Sequence, residues 1–174
     1  TFRRLRYVRY ADDWLVGYIG PKSEAEEIKE EMGRFLRETL HLELSQQKTL
    51  ITNATSEAAR FLGYEIKSQQ ANDKHCKGRR CVNGVIGLYV PKEVIEKKCT
   101  RYTDNGKPIA RSELILDDDF SIISRYQAEY RGVVQYYLLA QNVSWLWRLH
   151  WKMKNSLLKT LAGKHKARLM TMLR

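Results

Sequence analysis

Asp12 and Asp13 stand side by side in RYADDWLVGYIG, residues 9–20, between two runs of strand-forming residues. Aspartate is depleted in strands and common in turns, so the pair marks the tip of a tight hairpin. Two adjacent carboxylates projecting from a rigid tip suit one kind of chemistry. Magnesium takes hard oxygen ligands, keeps several waters, and is held by one or two carboxylates together with substrate phosphates. Two such ions, about 3.5–4 Å apart, stabilise the attacking and leaving oxygens of an in-line displacement. A hairpin tip that is merely solvated would show the same spacing, so the rest of the chain must choose between the two.

The charge distribution narrows the choice. The 174 residues carry 31 Lys and Arg against 20 Asp and Glu, a formal net charge of +11. Residues 1–67 balance 11 cations with 11 acids, whereas residues 120–174 hold ten Lys or Arg and one acid, Glu129. Such an asymmetry points to nucleic acid, with an anionic membrane surface a poorer second. No apolar run reaches roughly 18 residues, so no membrane span is expected. The three cysteines, Cys76, Cys81 and Cys99, are odd in number and irregular in spacing. Reduced thiols in an intracellular compartment are therefore expected, rather than a disulfide framework. His75, Cys76 and Cys81 lack the second ligand pair of a zinc site. The chain opens at Thr1 straight into strand-like sequence with no signal-peptide pattern, which suggests a piece of something longer.

The elements that must position these residues follow from periodicity. RRLRYVRY and WLVGYI read as two strands around the Asp pair. Ser23 and Glu26 form a capping box for a helix whose face holds Ile28, Met32, Phe35, Leu36 and Leu40. LELSQQKTLI, residues 42–51, reads as strand, turn and strand. RFLGYEI, residues 60–66, alternates Leu62, Tyr64 and Ile66. Asn83-Gly84 signals a hairpin before the strand VIGLYV, which Pro91 ends. Residues 92–112 read as a helical turn and a basic linker. From Asp119, a predicted cap, a helix presents Phe120, Ile123, Tyr126, Tyr130, Val133, Val134, Tyr137 and Leu138. Ser144 is expected to cap a second helix with Trp145, Leu149, Met153, Leu157 and Leu161, and ARLMTMLR to begin a third. The fold class is α+β: an antiparallel sheet with a packed helix, then an α-helical bundle.

Read together, the motifs resemble one family. YADD between apolar strands resembles the Y-x-D-D box of reverse transcriptases. LELSQQKTLI and ARFLGYEI resemble the next two palm motifs, a lysine-bearing segment and the primer-grip hairpin. ISRYQAEYRGVVQYYLLAQN and SLLKTLAGKHK resemble the thumb, or maturase X domain, of group II intron reverse transcriptases. The resemblance covers nearly the whole chain in the correct order. It divides the chain into a C-terminal part of the palm (1–67), a hairpin and connecting segment (68–112) and a helical thumb (113–174).

The resemblance implies a role for each matching residue. Asp12 and Asp13 would ligate catalytic Mg2+, and Tyr10 and Ala11 would lie beneath the primer terminus and incoming nucleotide. Lys48 would act near the nucleotide phosphates, or be an ordinary surface lysine. Leu62, Gly63 and Tyr64 would form the primer grip. In the thumb, Arg125, Arg131, Lys152, Lys154, Lys159, Lys164, His165 and Lys166 would meet phosphates, and Tyr136 and Tyr137 would stack on bases or line a groove. Trp147 and Trp151 fit either a ligand or a packing role, whereas Tyr126, Tyr130 and Trp145 fit the core better. The implied partners are group II intron RNA, an RNA template, a DNA primer, dNTPs and the missing N-terminal part of the enzyme. The implied setting is bacterial cytoplasm or an organelle. The third palm aspartate of the family lies upstream of YADD and has no counterpart here, so the metal site would be completed from outside these residues. A maturase that only binds RNA, and another bacterial reverse transcriptase lineage, remain the alternatives; the R-G-x-x-x-Y-Y thumb disfavours the latter.

Overall fold

The computed structural model describes residues 2–73, 75–76 and 78–168. Its first element is the expected hairpin. β1 (Arg4–Tyr10) pairs antiparallel with β2 (Asp13–Ile19), from Arg4 opposite Ile19 to Tyr10 opposite Asp13. β2 half-buries Trp14, Leu15, Val16 and Tyr18, while every residue of β1 is exposed.

α1 (Lys22–Leu40) follows without the expected capping box. Pro21 occupies the N-cap with φ −67 and ψ 154, and no side chain caps the helix. Proline fixes φ near the value a helix entrance needs and pulls the start upstream, so Ser23 falls inside the first turn. Glu26 pairs instead with Lys22 at 3.5 Å. Ile28, Met32 and Leu36 are half-buried, whereas Phe35 and Leu40 stay exposed. His41 closes the helix in the left-handed region (φ 54), and Leu42 N–H donates to Leu36 O at 2.9 Å.

Residues 42–51 form no strands. Ser45 O accepts from Thr49 N–H at 3.0 Å, and Lys29 Nζ donates to Thr49 O at 2.7 Å, so turn and side-chain bonds occupy backbone that a ladder would need. RFLGYEI is likewise a hairpin, not one strand: β3 (Ala59–Phe61) and β4 (Tyr64–Ser68) flank Leu62 and Gly63. Both turn residues have positive φ (47 and 73), as a type I′ turn requires. β5 (His75–Cys76) pairs with β6 (Arg79–Arg80), and β7 (Ile86–Tyr89) completes a three-stranded sheet in the order β3-β4-β7. At Asn83-Gly84 only Gly84 has positive φ (80), and Val85 N–H donates to Val82 O, so this is a loop turn rather than the expected hairpin. Cys81 is disulfide-bonded, against the expectation of reduced thiols, while Cys99 is a free, buried thiol.

α2 (Lys92–Thr100) is longer than the expected helical turn, and the expected linker contains a hairpin. β8 (Thr103–Asp104) and β9 (Lys107–Pro108) join through Asn105 and Gly106, both at positive φ (47 and 77). α3 (Asp119–Tyr136) is capped by Asp118, not Asp119: the Asp118 carboxylate accepts from Ser121 N–H at 3.0 Å. A 3-10 turn, Val143–Leu146, runs directly into α4 (Trp147–Lys164), so Ser144 caps nothing. The expected third helix at ARLMTMLR falls mostly outside the described residues.

The chain divides into two compact units, Thr1–Leu62 with Ile66–Ile86, and Gly63–Glu65 with Gly87–Arg174. The second has a closed core in which Val90, Leu114, Ile122, Tyr126, Leu146 and Leu149 are almost wholly buried. Its register differs from the periodic reading. Ile122 enters the core while Phe120 and Leu138 face out, and Leu146 enters while Trp145 is exposed. Asn142 ties the bundle to the end of β7: its side chain accepts from Val90 N–H at 2.8 Å and donates to Val90 O at 3.1 Å. A small-sheet region followed by packed helices makes the chain α+β.

Candidate nucleic-acid interface

Asp12 sits in the turn of the first hairpin and Asp13 begins β2 opposite Tyr10; all three side chains are exposed. Ala11, between Tyr10 and Asp12, takes φ 51, a region that favours glycine. Arg9 Nε donates to Ala11 O at 2.6 Å and fixes the turn. Two hard oxygen donors side by side on a two-stranded ribbon fit part of a magnesium ligand set. Among the described residues no group of three or more His, Cys, Asp or Glu side chains could hold a metal ion. The pair therefore offers two ligands and leaves the remainder to other donors. Lys48 is exposed in the turn after α1. Among the described residues no hydrogen bond or ion pair joins it to either aspartate.

In the second unit, Gly63 and Tyr64 meet the end of α3. Tyr137 OH donates to Gly63 O at 3.2 Å, and Tyr64 OH donates to Tyr136 O. The Tyr64 ring lies 6.0 Å from that of Tyr136, stacked, and 5.1 Å from that of Tyr137, edge-on. Burial pushes the phenol pKa values of Tyr64 and Tyr137 up. Tyr137 is buried and its hydroxyl is committed, so it anchors the turn rather than offering a ring face to a base. Tyr136 is exposed, with its ring stacked on that of Tyr64. Leu62, in the same turn, is half-buried.

The cations of the helical bundle divide by what already holds them. Lys164 Nζ donates to Asp119 at 2.7 Å and to Asp117 O at 2.6 Å, and His165 Nε2 lies 2.8 Å from the same Asp119 carboxylate. Lys164 first, then His165, hold the Asp119 carboxyl below its ordinary pKa. Lys159 Nζ donates to Pro108 O at 2.7 Å, and Arg125 lies 3.8 Å from Asp117. Lys152 is half-buried, and Lys166 is exposed at φ 49. Arg131 and Lys154 are exposed and form no ion pair among the described residues. Leu149, Met153, Ser156 and Thr160 turn one face of α4 inward, while Trp147, Arg148, Trp151 and Lys154 are exposed. Trp147 and Trp151 are 64% and 46% exposed, so the structure gives them the surface position that the sequence left open.

Glu129 goes the other way. Arg111, whose side chain is 4% exposed, donates to it at 3.0 Å, and Tyr102 OH donates to the same oxygen. The Arg111 guanidinium also bonds Glu113 at 2.8 Å and lies 5.3 Å from the Tyr126 ring centroid. The one acid of residues 120–174 is thus turned toward Arg111 and Tyr102, and beyond the first turn of α3 the outward faces of α3 and α4 carry cations and aromatic rings but no exposed acid. Sequence reading did not single out Arg111. No local signal marks it, because its partner Glu129 lies 18 residues away in the chain.

A family profile described as type II intron maturase matches residues 89–174. The group II intron-encoded protein LtrA of Lactococcus lactis subsp. cremoris is 37% identical over 97% of this chain and 30% of its own length. A putative COX1/OXI3 intron 1 protein of Saccharomyces cerevisiae is 32% identical over 98% of this chain and 22% of its own. Maturase K of Psilotum nudum is 24% identical over 94% of this chain and 34% of its own. The chain therefore spans about a third or less of these relatives' lengths. No described helix is long and apolar enough to cross a membrane.

Proposed function

Because the chain belongs to the type II intron maturase family, we propose that it is the C-terminal palm and the thumb of a group II intron-encoded reverse transcriptase and maturase. The bundle binds the intron RNA. The observation that carries this is the charge arrangement: ten Lys or Arg in residues 120–174, with the one acid, Glu129, turned inward onto Arg111. A surface in which cations outnumber acids, with exposed indoles among them, suits RNA. In the longer protein, RNA is copied into DNA from a primer 3′-hydroxyl using dNTPs. Asp12 and Asp13 would hold magnesium there with a further carboxylate from outside these residues. The metal, when bound, supplies charge stabilisation to the attacking and leaving oxygens. Tyr10 and Ala11 would support the primer terminus, and the Gly63 turn, anchored by Tyr137, would steady the primer strand. Lys48 would neutralise charge on the departing pyrophosphate.

Filter binding of intron RNA across a salt series tests the RNA reading. Each neutralised phosphate contributes a slope of about −0.7 to −0.9 in log affinity against log salt, so four to six contacts give roughly −3 to −5. Replacing Arg131, Arg148 and Lys154 with Ala makes the slope shallower by about 2 to 3. A slope unchanged by all three substitutions would remove this face from the interface.

A further inference from the structure

α2, α3 and α4 leave an open cleft of about 370 Å³ between them, within the second unit. Its floor is apolar, formed by Leu149 and Met153 of α4, with Val94 and Val133 as walls. Its rim is cationic. Lys97, Lys98 and Arg101 follow Val94 at i+3, i+4 and i+7, so one face of α2 supplies both wall and charge. Glu129 also lines it, held by Tyr102 and Arg111.

We propose that this cleft receives a single unstacked nucleotide of a bound RNA, base inward and phosphate on the rim cations. The proposal rests on the RNA-binding reading above and names a contact that reading does not require. The volume falls within the range of about 300–1,000 Å³ typical of small-molecule sites. A nucleobase offers flat apolar faces to Val94 and Val133, and sequence-specific RNA recognition targets single-stranded bases splayed out of the stack. Charge sets the orientation. The Glu129 carboxylate, already accepting from Tyr102 and Arg111, is no site for a second anion, so the interior takes the base rather than the phosphate. Three cations on the rim attract the phosphate that the interior rejects. Arg101, 59% exposed and 3.4 Å from Glu129, is weakly held and free to turn toward it. An acidic peptide fits less well, because its carboxylate would either meet Glu129 or leave the apolar walls uncovered.

The test uses the purified chain with methyl-labelled methionine, reading the Met153 methyl resonance. AMP shifts that resonance, adenosine shifts it more weakly, and inorganic phosphate leaves it in place. Changing Lys97, Lys98 and Arg101 to Ala weakens AMP binding about tenfold, with adenosine unchanged. Val94→Phe, which narrows the cleft from a half-buried wall, abolishes both responses while circular dichroism shows a folded chain. In RNA, a bulged 2-aminopurine changes fluorescence on binding, and Val94→Phe removes the change. Phosphate acting as well as AMP, or a Met153 methyl unmoved by AMP, overturns the proposal. So does a Glu-rich peptide that shifts the methyl when AMP does not. RNA retained on filters with neither the methyl nor the 2-aminopurine responding defeats the cleft and leaves the RNA reading standing. AMP binding without RNA retention assigns the cleft to a free nucleotide and defeats both the RNA source and that reading.

Discussion

Arg111 and Glu129 show how much rests on one pair of side chains. Arg111 is 4% exposed, and Glu129, at 21%, accepts from it, from Tyr102 and more weakly from Arg101. Removing one member of a buried pair leaves the other charge unpaired in a poor solvent, at a cost of about 3–5 kcal/mol. Glu129 retains some water and the Tyr102 donor, so Arg111→Ala is expected to cost about 3 kcal/mol, measured by urea unfolding. Removing both charges with Arg111→Met and Glu129→Leu should recover most of that loss, since an apolar replacement of the pair has no desolvation to offset. If the double variant is less stable than Arg111→Ala, the pair has a structural role beyond charge neutralisation.

Helices α3 and α4 make the bundle, and two predictions belong to them. Asp119, in the first turn of α3, holds Lys164 and His165 at the end of α4, and its carboxyl is held below the ordinary value of 3.8. A group with a depressed folded pKa contributes stability above its unfolded pKa and loses it as pH falls through the folded value. Asp119→Asn should therefore lower the melting temperature near pH 7, and the gap from the parent should close below about pH 4. A gap that persists at low pH would trace the effect to helix packing rather than the carboxylate. On α4, Leu149→Ala opens a cavity and should cost about 2–5 kcal/mol. Trp147→Ala, on the exposed face, should stay within about 0.5 kcal/mol. Comparable losses at the two sites would mean that the inward face has been misassigned.

For the molecule as a whole, polymerase chemistry needs more donors than these residues bring together. Asp12 and Asp13 are two carboxylates, and no third potential ligand groups with them among the described residues. Templated primer extension by the purified 174 residues is therefore expected to be absent, and a radiolabelled-primer assay with magnesium decides it. In the proposed full-length reverse transcriptase, Asp12→Asn should abolish DNA synthesis yet leave RNA affinity nearly unchanged, because the proposed RNA-binding surface is the cationic bundle. Near-normal extension by that variant would end the metal-ligand assignment of Asp12.

The sequence by itself determined what depends on near neighbours and on composition. The hairpin with Asp12 and Asp13 at its tip, the helix after it, the strand ended by Pro91 and two helices in the basic third were all legible, because turn chemistry and apolar period are local. The family was legible too, from short motifs in the right order. Tertiary structure decided the rest. Ser23 and Ser144 can cap in isolation, but Pro21 and the 3-10 turn before Trp147 took their places. Residues 42–51 had strand character and found no strand to pair with. In α3 and in the 3-10 turn before α4 a shift of one position exchanged Ile123 for Ile122 and Trp145 for Leu146 in the core, a difference that periodicity cannot resolve when both neighbours are apolar. Tyr137, read as a base-stacking residue, became an anchor because Gly63 lies against it in space, 74 residues away in the chain. The pairing of Arg111 with Glu129, and the cleft beside it, exist only where distant parts of the chain converge.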